Sequence, residues 1–266
     1  MAKRRGEVAA SYAVDANSGV GEAAFSRGPA RLLTADGDRH DGRQLHECRL
    51  NFLKTGAVSS AAGSAYAEIG QTKVIVSVFG PRESHKAEAF SGIGRLNCNV
   101  QYASFATSVR GKANQGAEEK EFPVLLHKAL EGAVMLHTFP KTTVDIFALI
   151  LQSGGGDLPA VISCASMALA DAGIAMYDLV SAVSTGYVGK EVLLDTTLEE
   201  EKCSDGEMMV TFMASRNEIT QLKITGQWPD ATMREALSVS LDACAKLANV
   251  MRECLKEELA GVDEDE

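Results

Sequence analysis

The stretch 149–174, LILQSGGGDLPAVISCASMALADAGI, constrains this chain more than any other: an apolar run, three glycines, then a small-residue segment with the character of a buried helix. Glycines between a strand and a helix are where proteins commonly hold phosphate, because backbone N–H groups at a helix start point outward and lack partners. The residues after the glycines are Asp157, Leu158 and Pro159. Asp157 is expected to be the N-cap, its carboxylate taking the open N–H groups itself, while Pro159 removes a donor from the first turn. An arriving phosphate would meet a negative charge, and two unit charges about 4 Å apart at an effective dielectric near 20 repel by roughly 4 kcal/mol. That is about three decades in affinity. The turn Gly155-Gly156-Asp157-Leu158-Pro159 therefore reads as a phosphate loop that cannot take phosphate.

The chain has 266 residues, 45% of them hydrophobic, enough for a sizeable core in one large domain or two small ones. No run of about 18 uncharged apolar residues occurs, so no membrane partner is expected, and the N-terminus lacks the apolar region of a secretory signal. Cys48, Cys98, Cys164, Cys203, Cys244 and Cys254 form no C-x-x-C and read as reduced packing residues of an intracellular protein. The net charge of −10 argues against a stand-alone nucleic-acid binder, since phosphate neutralisation by Lys and Arg supplies most non-specific affinity. His127 and His137 read as lining or capping a helix, and neither metal nor cofactor is expected.

Residues 1–38 are rich in Ala, Gly and Ser and read as a flexible tail, despite the basic triplet Lys3-Arg4-Arg5. An ordered domain is expected over 39–260, followed by an acidic tail over 261–266. Strands are expected over 49–58, 64–69 and 73–79, an antiparallel meander ended by Gly80-Pro81. A strand over 96–105 and a mobile loop over 107–119 lead to a helix over 118–137, with Val124, Leu125, Ala129, Leu130, Ala133 and Val134 on its apolar face. A strand over 143–152 and a helix over 158–172, closed by Gly173, flank the glycine turn. Strands over 179–186, 192–195, 208–214 and 218–225 and an amphipathic helix over 230–258 complete the pattern. Strands in runs with helices between and after them suggest an α+β domain with helices on one side of the sheet.

Several words of this sequence, in this order, resemble the RNase PH family, and within it the ring subunits of the eukaryotic RNA exosome. They are Asp41-Gly42-Arg43, Gly63-Ser64-Ala65, Gly70-Gln71-Thr72-Lys73-Val74, Gly80-Pro81-Arg82-Glu83 and Ala168-Leu169-Ala170-Asp171-Ala172-Gly173-Ile174. Residues 95–100, 127–132 and 218–222 are particularly similar to the non-catalytic subunit type called mRNA transport regulator three. The resemblance implies an RNase PH-like domain, mixed sheets packed with helices, including a left-handed β-α-β crossover. It implies as partners other RNase PH-type subunits in a hexameric ring, RNA-binding cap subunits, and RNA threaded through the channel, in nucleus, nucleolus and cytoplasm.

Active members of the family cleave RNA from its 3′ end with inorganic phosphate as the attacking group. Where they carry Thr-Arg-Ser after the last glycine, this chain has Asp157, Leu158 and Pro159. Their acid pair lies in Asp-x-x-x-x-Glu-Asp, matched here by Asp195, Glu200 and Glu201, with a Glu in place of the final Asp. The family's arginine pair falls at about Ala117 and Glu118. The residues themselves read more simply as a solvated acidic loop. The resemblance thus points to a catalytically silent ring subunit serving rRNA maturation and mRNA turnover, with Asp195 and Glu201 as degenerate positions. Basic residues near loops, Arg82, Lys86, Arg95, Arg110 and Lys112, are candidate RNA contacts. An active phosphorolytic 3′-to-5′ exoribonuclease is the alternative. A dinucleotide enzyme is disfavoured because Pro159 stands where G-x-G-x-x-G needs its third glycine.

Overall fold

The computed structural model describes residues 39–83, 92–110 and 118–264. Lys86, Lys112, Ala117, most of the loop expected over 107–119 and the tail expected over 1–38 lie outside the described residues.

The first sheet has five strands in the order β1-β2-β3-β5-β4. The strands β1 (Asn51–Thr55), β2 (Gly63–Ile69) and β3 (Thr72–Glu83) form the antiparallel meander, and β5 (Thr142–Gln152) adds antiparallel to β3. The alternation in β3 explains its place: Val74, Val76 and Val78 are fully buried on one face, while Ile75, Ser77 and Phe79 lie on the other. Gly80-Pro81 does not end this strand. A register shift between Phe79 and Arg82 absorbs the proline, and pairing with β5 resumes to Glu83. β4 (Arg95–Tyr102) runs parallel to β5, and α1 (Glu118–Glu131) makes the crossover between them.

α1 stops at Glu131 rather than near 137, where a short 3-10 turn, Leu136–Thr138, takes over. Its buried face also differs from expectation: Phe122, Leu126, Ala129 and Leu130 face inward, and Val124 is exposed. The second sheet is antiparallel, in the order β7-β6-β8-β9, built from β6 (Val180–Val188), β7 (Glu191–Leu194), β8 (Gly206–Met213) and β9 (Glu218–Gly226).

α2 (Asp157–Asp171) sits between the sheets, against β2 and β3 on one side and β6 on the other. The expectation of helices on one side of a single sheet is therefore corrected. The cause is compositional: every residue from Leu158 to Leu169 is buried, so this helix is apolar all round and needs a layer on each side. Its polar exceptions are used: Ser166 Oγ accepts from Val180 N–H at 2.8 Å, and Ser163 Oγ from Ala182 N–H at 3.1 Å. The acidic stretch 199–201 belongs to the short helix α3 (Leu198–Glu201). α4 (Asp230–Glu264) covers the outer face of the second sheet with Ala236, Ser240, Cys244 and Met251, and continues past 258. Among the described residues, no helix is long and apolar enough to cross a membrane.

Candidate active site at the glycine turn

β5 and α2 meet at Gly154, Gly155 and Gly156, where the turn is pressed onto the segment 195–201. Gly155 has φ 95°, and a Cβ on it would lie 2.4 Å from the backbone nitrogen of Leu198. Only glycine allows that approach. It lets Leu198 N–H donate to the Gly154 carbonyl at 3.0 Å, so α3 starts directly against the turn.

Two buried arginines fasten this junction. Arg49 donates from its backbone N–H and Nε to Asp195 Oδ2, at 2.9 and 3.0 Å, and from Nη2 to Oδ1 at 2.6 Å. Its Nη1 reaches the Gly154 carbonyl at 3.3 Å and Thr72 Oγ1 at 3.4 Å. Thr72 Oγ1 in turn donates to the Gly155 carbonyl at 2.7 Å. Arg39 bonds both carboxylate oxygens of Glu200, Nε to Oε1 at 2.7 Å, and also the carbonyls of Leu194 and Asp195 at 2.6 and 3.0 Å. Glu200 closes a capping box with Thr197, accepting its N–H at 2.8 Å. Burial pushes Glu200 up, but Arg39 and the Thr197 amide outweigh that and hold its carboxyl below the ordinary glutamate value.

Glu201 behaves differently. Its Oε1 accepts the Gly156 N–H at 2.7 Å and lies 3.5 Å from Thr196 Oγ1. Burial pushes its carboxyl up to about 7, with the Glu207 and Asp157 charges adding and the Gly156 amide and Arg49 opposing. It lines a cavity of about 270 Å³ together with Tyr102, Gly156, Asp157, Ser184, Glu207 and Lys223. The lining carries four carboxylates, of Glu121, Asp157, Glu201 and Glu207; among the described residues Lys223 is its one cation, and it is bonded to Glu121 at 2.7 Å.

The sequence-based expectations fare unevenly here. Asp157 is not the N-cap: Gly156 holds that position in the left-handed conformation, and Asp157 is the first helical residue. Its carboxylate accepts instead from Tyr102 Oη at 3.0 Å. A carboxylate does occupy the open amide of the turn, but it belongs to Glu201. The solvated acidic loop is likewise corrected, since Glu200 is buried and Glu201 half-buried. Leu158 and Pro159 line the cavity beside the turn. Asp195 reaches the same junction, but its two oxygens are taken by Arg49.

Arg82 is exposed and bonded to Asp145, Arg95 opens β4, and Arg110 is exposed beyond it; none of the three lines the cavity. Arg39, Arg49 and Lys223 escaped sequence reasoning. Their partners lie more than 100 residues away in the chain, and a buried arginine carries no local mark. The one available signal was the run of three acids at 199–201, which calls for distant cations.

The fold and this junction define a protein of the RNase PH type. Residues 47–175 match the 3′ exoribonuclease family, domain 1, and residues 178–243 match domain 2 of the same family. The chain belongs to that family. It is 59% identical over 229 residues to the exosome complex component RRP41-like of Arabidopsis thaliana, covering 86% of this chain and 88% of that one. It is 36% identical to the exosome complex component Rrp41 of Thermococcus kodakarensis, over 85% of this chain and 92% of the relative. Among solved structures, rice (Oryza sativa) Rrp46 superposes with TM-score 0.75 at 25% identity, covering 82% of this chain and all of that one. An Archaeoglobus fulgidus exosome with RNA bound to the active site shares the fold, with TM-score 0.72 at 22% identity over 80% of this chain and 92% of that one.

These relatives overturn the expectation of a catalytically silent chain. The likeness runs through proteins named Rrp41 and through both domains of an exoribonuclease family. Glu201, whose carboxyl burial pushes up to about 7, stands on the wall of a cavity beside the glycine turn.

Proposed function

We propose that this chain is a core-ring subunit of an RNA exosome, acting in 3′-to-5′ RNA processing and degradation, including rRNA maturation and mRNA turnover. The observation that carries this reading is the complete two-domain RNase PH architecture, aligned nearly end to end with proteins named as exosome components. Exposed apolar side chains on two separate sheets, Phe52, Phe147 and Leu149 on the first and Ile219, Leu222 and Ile224 on the edge strand of the second, suit a subunit with neighbours. Within the ring, the 59% identity to an RRP41-like component over 86% of this chain supports an Rrp41-type position over the mRNA transport regulator three type suggested by residues 95–100, 127–132 and 218–222. Cap subunits, passage of RNA past Arg82, Arg95 and Arg110, and residence in nucleus, nucleolus and cytoplasm belong to the same proposal. Cross-linking mass spectrometry on the native complex tests it. Cross-links to other RNase PH-type subunits on both flanks support it, and a purely monomeric chain ends it.

A second reading is favoured by Glu201 itself: 3′-end phosphorolysis at this cavity. A phosphate oxygen attacks the terminal phosphodiester and forms the new P–O bond. The 3′ oxygen of the penultimate residue leaves with the electron pair and takes the proton of Glu201, releasing a nucleoside diphosphate and a shortened RNA. An acid with pKa near the working pH suits that transfer. The acidic lining means that cations for phosphate and RNA come from a neighbouring subunit. Nucleoside diphosphate release from oligo-RNA by the reconstituted ring, reduced at least about 100-fold by Glu201→Gln, is the expected result. No release with phosphate present ends this reading.

A further inference from the structure

We propose that Arg49 is a positioning residue for Glu201, holding the glycine turn and the segment 195–201 at the separation that lets the Gly156 amide meet the Glu201 carboxylate. The inference rests on the reading of Glu201 as the proton donor. Among the described residues, Arg49 is the one side chain from outside the two segments that bonds both directly: Asp195 by Nε and Nη2 on one side, the Gly154 carbonyl by Nη1 on the other. The fit leaves no slack, because a Cβ on Gly156 would come 2.7 Å from Arg49 Nη2. Lysine could not make this contact set, since a single ammonium lacks the planar fork that serves two acceptors at once. Asp195 is fixed from behind as well, its carbonyl accepting from Arg39 Nη2 at 3.0 Å and Arg43 Nη1 at 3.2 Å. Six residues further on, Glu201 inherits that placement.

The charges around Glu201 make the role measurable. It faces Asp157 on α2, Glu207 on β8, and Arg49 backed by Asp195, with Lys223 and Glu121 across the cavity. Removing the guanidinium leaves Asp195 as a bare negative neighbour, so the Glu201 proton should be held more tightly. Removing the Asp195 charge leaves a bare guanidinium, so it should be held less tightly. Position is separated from charge by Arg49→Lys, which keeps the positive charge and loses the planar fork.

The experiment is a carboxyl carbon NMR titration of Glu201, with the Gly156 amide shift followed in parallel, in the full chain. Arg49→Met is expected to raise the midpoint and Asp195→Asn to lower it, each by about 0.5–1 pH unit, a change of roughly 3- to 10-fold in proton occupancy at fixed pH. Arg49→Lys keeps the charge but not the fork, so the midpoint should stay near wild type while the Gly156 amide shift moves. If Arg49→Met does not fold, the paired Arg49→Met, Asp195→Leu chain removes both charges and is better tolerated. In it, the Gly156 amide should lose its hydrogen-bonded shift. Midpoints that stay within about 0.2 unit of wild type, or that move in the same direction in both single variants, overturn the proposal. In the reconstituted ring, the alkaline limb of 3′ shortening should follow the NMR midpoint. An inactive ring would sink phosphorolysis but leave the titration result standing, so the two failures are distinct.

Discussion

Glu200 and Glu201 are neighbours on one short helix, yet they face different regions and carry opposite chemistry. Below α3, Glu200 enters a closed lock where Arg39 offers a full positive charge in a two-toothed grip and Thr197 adds an amide, and the carboxyl is held below its usual range. Above it, Glu201 has one backbone amide, partial desolvation and the charges of Glu207 and Asp157 for company, and is pushed up to about 7. The residue type decides neither outcome. What decides is whether burial is answered by a cation or only by a single dipole. The first arrangement is structural, and the second leaves a proton available for transfer.

The largest effect should come from breaking the lock. Arg39→Ala strands a buried carboxylate and two carbonyls, and should lower unfolding free energy in urea by about 3–5 kcal/mol. Next is the turn that both regions share. Gly155→Ala forces a side chain into left-handed φ against the α3 backbone, and should cost about 2–4 kcal/mol in the same assay. Glu201→Gln should act the other way and depend on pH. With an ordinary value of 4.5 and a folded value of about 7, the folded chain binds more protons than the unfolded one between those limits. The stability contributed by Glu201 is therefore full below 4.5 and lost as pH rises through 7. The glutamine variant should match wild type near pH 4.5 and be about 1–3 kcal/mol more stable at pH 8 by denaturant titration, order-of-magnitude figures. Glu200 should show the reverse, with its contribution present above the ordinary value and lost as pH falls through the lowered one. Smallest is the exposed pair Arg82–Asp145: Arg82→Ala should shift stability by no more than about 1 kcal/mol, and that shift should shrink in high salt.

Much of the fold was legible in the chain. The meander, the β5-turn-α2 unit and the closing helix all announce themselves by alternation, glycines and helical spacing. The two-layer sandwich around α2 was not read, although its uniform apolarity over 158–169 held the signal. At the site, the structure brings the glycine turn and the acids at 195–201 together, and a carboxylate does sit on an open amide of the turn, though not that of Asp157. That place was assigned to Asp157 because sequence proximity favours the adjacent residue. The residue that fills the place, Glu201, arrives from 45 positions away by a fold-level contact. Arg39 and Arg49 were invisible for the same reason, since nothing local distinguishes a buried guanidinium from a solvated one.

The reach of those two arginines bears on how the chain comes into being. Arg39 and Arg49 find their acceptors at 194–200, about 150 residues downstream. On the ribosome the first sheet's meander emerges while both guanidiniums lack their carboxylate partners, and they stay so until α3 has cleared the exit tunnel. The junction of the glycine turn with α3 is thus among the later parts of the domain to close, and a nascent chain truncated before 195 would carry two buried-site cations without their carboxylate partners.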